Sequence, residues 1–145
     1  MQINQIAFCY SGTKIFLTTS DGRIRILSYP GFEPVLTMPG PGGAEGEQAR
    51  EFMLNGHTSS CLTAEMQPTG RYLATGGSDS VIALWDTTDW ICQRTVTKMT
   101  GAVRSISRFF FSFYLGDFFF LCSTRCSTRC STRCSTLVAL KAFHR

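Results

Sequence analysis

The central part of the chain holds two residues of the types that form a thiolate–imidazole nucleophile, His57 and Cys61. Such a site needs a histidine that acts as a base beside the cysteine, and a third group that orients the imidazole ring. His144, the second histidine of the chain, lies in a tail of quite different composition. We therefore favour a structural role for His57 and predict no catalytic residues.

A glycine-rich segment at residues 40–46 has a composition that could bring backbone N–H groups close to a phosphate. It lacks the Gly-Lys-Ser/Thr ending that a phosphate-binding loop requires. An exposed loop that could contact a partner protein is the favoured interpretation. We therefore expect neither a bound cofactor nor a small-molecule substrate.

The tail at residues 108–145 joins a phenylalanine-rich segment to three copies of Cys-Ser-Thr-Arg. Its cysteines are Cys122, Cys126, Cys130 and Cys134. This spacing is formally compatible with zinc, but it lacks the usual separation into two Cys pairs. The perfect repeat favours low-complexity sequence, so we predict that the tail is disordered or non-native and binds no metal. The apolar segment at residues 109–121 is too short for a membrane span, which needs about 20 residues.

Charge is distributed unevenly between the two parts of the chain. Residues 1–107 carry eight Lys/Arg and nine Asp/Glu, whereas residues 108–145 carry six Lys/Arg and one Asp. The first part therefore lacks the basic footprint of a phosphate-binding surface, and we expect contact with RNA to be indirect or weak. No basic segment followed by an apolar run marks a secretory signal, so we expect free thiols in a reducing compartment.

The elements that must position these residues are short strands separated by turns. Runs of β-forming residues alternate with Gly-, Asp- and Ser-containing turns, which is the pattern of antiparallel sheets. The predicted strands of a first unit are 5–9, 15–19, 23–26 and 34–38. Those of a second unit are 61–66, 71–75, 81–85 and 91–96, and 103–107 would open a third.

The two units superpose when the second is shifted by 58 residues, which places Gly12 on Gly70 and Asp21 on Asp79. Propeller blades usually repeat every ~40–45 residues, and a loop insertion accounts for the excess. We therefore predict an all-β chain with a partial β-propeller at residues 1–107. Its divisions are a blade at 1–38, an exposed loop at 39–51, a blade at 52–97 and the start of another at 98–107.

Gly56-His57 and Trp85-Asp86 enclose 27 residues, with Asp79 in the turn that precedes Trp85. This order and spacing resemble the signature of the WD-repeat family, whose members fold as β-propellers. Each dipeptide alone would be a weak signal, whereas the combination is specific for the superfamily.

The resemblance implies a buried hydrogen-bond network in the second blade. In it Asp79 accepts from the His57 ring, the ring meets the Thr75 hydroxyl, and that hydroxyl meets the Trp85 indole N–H. These four residues are our candidate site, and its role would be to hold the blade together.

The first unit departs from the family pattern. Leu27 stands where Trp85 stands, Ser28 where Asp86 stands, and Leu17 where Thr75 stands. The position that matches His57 would precede Met1. We therefore expect this blade to depend on apolar packing.

Seven stretches narrow the resemblance to the WD-repeat subunit family of the THO complex. They are residues 2–6, 16–18, 24–30, 34–35, 71–79, 89–94 and 103–107. The resemblance implies a nuclear scaffold that contacts other THO/TREX subunits and acts in transcription-coupled mRNA processing and export, without a membrane. Two alternatives remain: an unrelated WD scaffold, such as a ubiquitin-ligase substrate receptor, and a truncated chain without independent function.

Overall fold

The computed structural model describes the backbone of residues 1–39, 50–109, 118–124 and 134–140, and the side chains up to residue 107 within those ranges. Every regular element in these segments is a β-strand. The strands form two four-stranded sheets, one three-stranded sheet and one two-stranded sheet.

The first sheet, blade 1, is antiparallel throughout. Its strands, in spatial order, are β1 (Ile3–Phe8), β2 (Lys14–Thr19), β3 (Arg23–Ser28) and β6 (Leu54–Asn55). The Asp-Gly turn between β2 and β3 forms because Gly22 takes a φ of +83°, a conformation that side chains with a Cβ rarely adopt. The expected strands at 5–9, 15–19 and 23–26 are therefore present, with boundaries shifted by one or two residues.

The prediction of a fourth strand at 34–38 is wrong. Pro34 forms an isolated bridge with Leu27 at the end of β3, whereas Leu54 and Asn55 pair with the start of β3. Strands β4 (Thr37–Met38) and β5 (Arg50–Glu51) instead form a separate two-stranded ladder. The residues between Val35 and Leu54 therefore separate two short segments that pair with β3, and no continuous strand forms at 34–38. The rest of the expected loop lies outside the described residues.

The second sheet, blade 2, repeats this meander with four strands of five or six residues. They are β7 (Cys61–Met66), β8 (Tyr72–Gly77), β9 (Ile82–Asp86) and β10 (Ile91–Val96). The order β10-β9-β8-β7 places β7 at one edge and β10 at the other. The four strands predicted for this unit are all present.

A third sheet contains β11 (Val103–Phe109), β12 (Phe118–Thr124) and β13 (Cys134–Leu140). The strand expected at 103–107 is present as part of β11. The sequence pattern predicted neither β12 nor β13, yet β12 pairs with both β11 and β13. Phenylalanine has a high β-propensity, which is the physical reason for a strand at 118–120 in a segment without alternating polarity. The cysteines considered as zinc ligands have no described side chains.

The first strands of the three sheets share an irregularity. The register shifts between Ile3 and Gln5 in β1, and the matching shifts occur near the start of β7 and β11. Such a bulge bends the strand and increases its twist. The three sheets therefore begin in the same way, as successive units of one repeat.

Side chains of β1 satisfy backbone groups of β7. The Gln5 Oε1 accepts a hydrogen bond from the Ala64 N–H at 2.9 Å. The Asn4 Nδ2 donates to the Cys61 carbonyl at 2.8 Å. These bonds occupy polar groups on the first strand of blade 2 and join the two blades at that edge.

Two apolar clusters lie between neighbouring sheets. The first joins Phe16, Ile24 and Ile26 of blade 1 to blade 2, where Leu73 and Trp85 are among its members. The second joins blade 2 to the third sheet, and its members are Ala74, Ile82, Leu84, Met99, Val103 and Ile106. Burial of each large aliphatic side chain contributes roughly 1.5–3 kcal/mol, so packing between blades is the main source of cohesion.

Candidate functional site

The structure brings His57, Thr75, Asp79 and Trp85 into one continuous chain of hydrogen bonds. The His57 Nδ1 lies 3.2 Å from both carboxylate oxygens of Asp79. The His57 Nε2 lies 2.9 Å from the Thr75 Oγ1, which the Trp85 Nε1 approaches at 3.0 Å. This hydrogen-bond network crosses blade 2 from the turn before β7 to Trp85, the penultimate residue of β9.

The hydrogen-bonding capacity of these four side chains determines which atom donates and which accepts in each bond. An ionised carboxylate can only accept, so the His57 Nδ1 carries a proton and donates it to Asp79. In the neutral ring Nε2 is then an acceptor for the Thr75 hydroxyl, whose oxygen accepts from the Trp85 indole N–H. Every polar group in this four-residue network then has a hydrogen-bond partner, which is the condition for a buried network to stabilise a sheet.

Asp79 also holds the two turns at this end of the blade. Its Oδ2 accepts from the Thr58 N–H at 3.0 Å, and its Oδ1 accepts from the Val81 N–H at 3.2 Å. Between them Ser80 takes a φ of +62°. One carboxylate therefore fixes the turn before β7 and the turn between β8 and β9.

Two glycines make room for the network. A Cβ on Gly56 would lie 2.2 Å from the Trp85 Cζ2, and a Cβ on Gly77 would lie 2.6 Å from the His57 Nδ1. Both separations are far shorter than van der Waals contact. Gly56 therefore belongs to the signature because the indole ring packs directly against its backbone.

Asp86, the other signature residue, anchors the opposite end of β9. Its Oδ2 accepts from the Arg71 Nη2 at 3.1 Å and from the Gln93 Nε2 at 3.0 Å, and its Oδ1 accepts from the Thr88 N–H at 2.9 Å. The Thr88 hydrogen bond and the Arg71 guanidinium lower the pKa of Asp86 against the opposing effect of desolvation. Sequence reasoning did not identify Arg71 or Gln93, since nothing in their spacing marks them as partners of Asp86.

Blade 1 contains a polar substitute for the network that sequence reasoning also missed. Thr19 occupies the position of Gly77, and its hydroxyl donates to the Asp21 carboxylate. The same Thr19 oxygen accepts from the Arg23 N–H at 3.1 Å. The side chain of Thr19 thus hydrogen-bonds the turn aspartate of blade 1, as His57 does in blade 2. Blade 1 is therefore held together by these hydrogen bonds as well as by the apolar packing that the sequence led us to expect.

The Thr75 hydroxyl beside His57 is fully buried and accepts a hydrogen bond from the Trp85 indole N–H, so it is not exposed to a substrate. Both ring nitrogens are engaged within the network, and the Cys61 side chain is fully buried. Burial raises the pKa of Cys61 to about 12, so the thiol stays protonated at neutral pH. The pair that suggested cysteine–histidine chemistry is structural in this arrangement.

Cys9 has a different environment, at the mouth of a small cleft between the blades. Partial burial alone would raise its pKa, but hydrogen bonds from Ser11, Thr13 and the Lys14 N–H outweigh burial and lower it to about 7. The cleft has a volume of about 190 Å³, and Trp90 is among its lining residues. Among the described residues, no histidine or carboxylate lines this cleft.

Within the described residues, no group of three or more His, Cys, Asp or Glu side chains could hold a metal ion. The same part of the chain contains no helix with the length and apolar character that crossing a membrane demands. Cys9, Cys61 and Cys92 are free thiols.

Comparison with known proteins identifies the repeat. The model of the WD domain, G-beta repeat, matches residues 48–86, which include the whole network. THO complex subunit 3 of Arabidopsis thaliana is 38% identical over 106 residues, covering 73% of this chain and 29% of that protein. The WD repeat-containing protein AAC3 of Dictyostelium discoideum is 48% identical over 106 residues, covering 73% of this chain and 20% of that protein. The chain thus spans less than a third of the length of these relatives.

Solved structures give the architecture. The RRP9 WD40 repeats align with a TM-score of 0.62 at 17% identity, over 83% of this chain and 32% of that chain. The β-propeller domain of Myceliophteria thermophila Cps50 (Swd1) aligns with a TM-score of 0.62 at 14% identity, over 94% of this chain and 39% of that chain. The predicted all-β propeller class is confirmed by these alignments and by the blade sheets themselves. Residues 48–86 are a WD40 repeat, and the chain has the fold of propeller blades.

Proposed function

We propose that this chain is a protein-interaction scaffold of the kind that THO complex subunit 3 represents, with no catalytic activity of its own. The supporting observation is 38% identity to that subunit over 106 residues, or 73% of this chain. WD40 propellers are typically non-catalytic scaffolds, and the candidate site described above is used for holding a blade together. The polar residues of greatest interest are therefore structural.

The proposed role is in transcription-coupled mRNA processing and nuclear mRNA export. The partners would be other subunits of the THO/TREX assembly, contacted through protein surfaces, and the location would be the nucleus. Residues 1–107 carry nearly balanced charge, which favours protein contacts over direct binding of RNA. Any contact with RNA would then be indirect or weak.

A direct binding experiment tests this proposal. The immobilised chain is presented with purified THO complex that lacks its own WD-repeat subunit, and separately with the adaptor of a WD-dependent ubiquitin ligase. Retention of THO subunits, and not of the adaptor, is the expected result. Retention of the adaptor alone, or of neither, would overturn the proposal.

The His57→Ala variant is the control for specificity in that experiment. Because His57 connects Asp79 to Thr75, its removal should disrupt blade 2 while leaving the surface composition unchanged. Retention of THO subunits should fall in parallel with loss of folded chain, measured by circular dichroism. Equal retention by folded and unfolded chain would mean that the binding is non-specific, which contradicts a scaffold role.

A further inference from the structure

The cleft between the two blades lies at the end of the sheets opposite the His57 network. Three turns form it: the β1–β2 turn of blade 1, and the β7–β8 and β9–β10 turns of blade 2. Its volume is about 190 Å³. A cavity of roughly 150 Å³ is enough to hold a benzene molecule. The cleft therefore has room for one side chain of a partner, and both of its walls belong to described residues.

The blade 2 side of the cleft is apolar, and Met66, Pro68 and Trp90 line it. The Trp90 ring extends towards blade 1, where its centroid lies 6.1 Å from that of the Phe16 ring. Trp90 has a φ of +58°, a backbone conformation that is strained for a bulky residue. Residues held in such conformations cluster at functional sites. The indole provides a surface on which an aliphatic side chain could pack.

The blade 1 side of the cleft carries a positive charge. Of the described residues that line the cleft, Lys14 alone has a permanently charged side chain. None of the ion pairs between described residues involves Lys14. Asp89, in the β9–β10 turn, accepts a hydrogen bond from the Ile91 N–H and makes no ion pair with Lys14. The cleft thus combines an apolar surface with an unpaired cation.

The polar groups around Cys9 favour negative charge on the same side of the cleft. The Ser11 hydroxyl lies 3.2 Å from the Cys9 Sγ, and the Lys14 N–H donates to that sulfur at 3.1 Å. Desolvation would raise the pKa of Cys9, yet the surrounding hydrogen bonds lower it to about 7. An anionic group of a ligand would meet the same favourable surroundings.

We propose that this cleft docks an acidic segment of a protein partner, with a glutamate carboxylate paired to Lys14 and a neighbouring aliphatic side chain packed on Trp90. Charge complementarity selects this occupant, because a neutral or cationic segment would leave Lys14 unpaired. The inference rests on the proposed scaffold role, since it takes the occupant to be part of a protein. Its test uses synthetic peptides and no THO subunit, so either proposal can fail without the other.

Nuclear magnetic resonance of the full chain tests the proposal, because Trp85 and Trp90 are its two tryptophans and give two indole N–H signals. The probes are the peptides acetyl-Leu-Glu-Leu-amide and acetyl-Leu-Gln-Leu-amide. They are titrated at about pH 6, where glutamate is ionised and Cys9 is mostly protonated.

The glutamate peptide should shift the Trp90 signal saturably and bind about fivefold more tightly than the glutamine peptide. The Trp85 signal should stay in place, since its indole N–H is bonded to Thr75 inside blade 2. No saturable shift of the Trp90 signal, equal shifts of both signals, or equal affinity for the two peptides would overturn the proposal.

Two lysine variants make the result specific. Lys14→Gln should abolish the preference for the glutamate peptide, because it removes the cation and retains the backbone N–H. Lys98→Gln is the matched control, since Lys98 is exposed but lies beyond β10 and outside the cleft. Trp90→Phe assigns the indole signals, and circular dichroism verifies that each variant is folded. A preference that survives in Lys14→Gln, or that Lys98→Gln removes equally, would assign the binding to general charge attraction and overturn the proposed site.

Discussion

The His57 ring carries two hydrogen bonds that no neighbouring side chain can replace. If it is truncated, Asp79 and Thr75 each lose a partner in a site where the histidine side chain is fully buried. We expect His57→Ala to lower the free energy of unfolding by about 2–5 kcal/mol, from unpaired polar groups and a cavity. Urea denaturation measures the change, with Thr95→Ala on exposed β10 as the control. A loss below about 0.5 kcal/mol would contradict the role assigned to the network.

The backbone at Gly56 is in contact with an indole ring, which gives a second prediction at the residue scale. Gly56→Ala should displace Trp85, because the new Cβ would lie 2.2 Å from the Trp85 Cζ2. Tryptophan fluorescence should shift to longer wavelength, and stability should fall by about 1–3 kcal/mol. Gly31→Ala is the control, since its added Cβ would meet nothing closer than 3.6 Å. An unchanged emission spectrum in Gly56→Ala would refute the packing described.

How far the residues could be predicted from sequence depended on whether a family pattern named them. The four network residues follow from the order Gly-His, Asp and Trp-Asp, and the structure brings all four together. Thr19 could not be found in this way, because it substitutes for a histidine from a different position in the chain. A threonine two residues before the turn aspartate was the available signal, since short hydroxyl side chains often bond to such turns.

Strand β9 is held at its end by Asp86, and this anchor depends on pH. The pKa of Asp86 lies below its usual value, so the charged carboxylate is favoured in the folded state. A lowered pKa contributes stability above the unfolded-state value, about 4, and this contribution disappears as pH falls through the folded-state pKa. We therefore expect the stability of the wild-type chain to fall more steeply than that of Asp86→Asn as pH decreases below about 4.

Thermal unfolding from pH 7 to pH 2.5 measures this difference. At pH 7 Asp86→Asn should be less stable by about 2 kcal/mol, since a charged acceptor for Arg71 and Thr88 is lost. The two proteins should converge in acid. Glu33→Gln, at an exposed position of blade 1, is the control and should follow the wild-type curve. Parallel curves for wild type and Asp86→Asn would exclude Asp86 as the titrating anchor.

Among the elements, the strands of blade 2 were predictable because alternating or β-rich runs lie between clear turns. The fourth strand of blade 1 was not, since Leu54 and Asn55 form too short a run to stand out from their surroundings. The local residue pattern favoured a strand at 34–38, whereas the tertiary structure pairs Leu54 and Asn55 with β3. Strand β12 was missed for the opposite reason, because its phenylalanine run lacks the alternation that marks a half-buried strand.

The blades of the whole molecule are joined partly by polar side chains, and this joint can be tested by hydrogen exchange. Gln5→Ala removes the acceptor of the Ala64 N–H on the first strand of blade 2. Exchange of that amide should accelerate about tenfold, which corresponds to about 1.4 kcal/mol of local stability. Gln2→Ala, at an exposed position ahead of β1, is the control. Unchanged protection at Ala64 would mean that another group satisfies this amide.

The boundaries between sequence repeats do not coincide with the boundaries between sheets in this molecule, as Asn55 and His57 demonstrate. Asn55 completes the sheet of blade 1, while His57, two residues later, enters the network of blade 2. A gene segment that encodes one sequence repeat therefore does not encode one self-sufficient sheet. A deletion boundary or a protease cut placed between the sequence repeats would damage both neighbouring blades, because the edge strand of blade 1 lies in the segment that leads into blade 2.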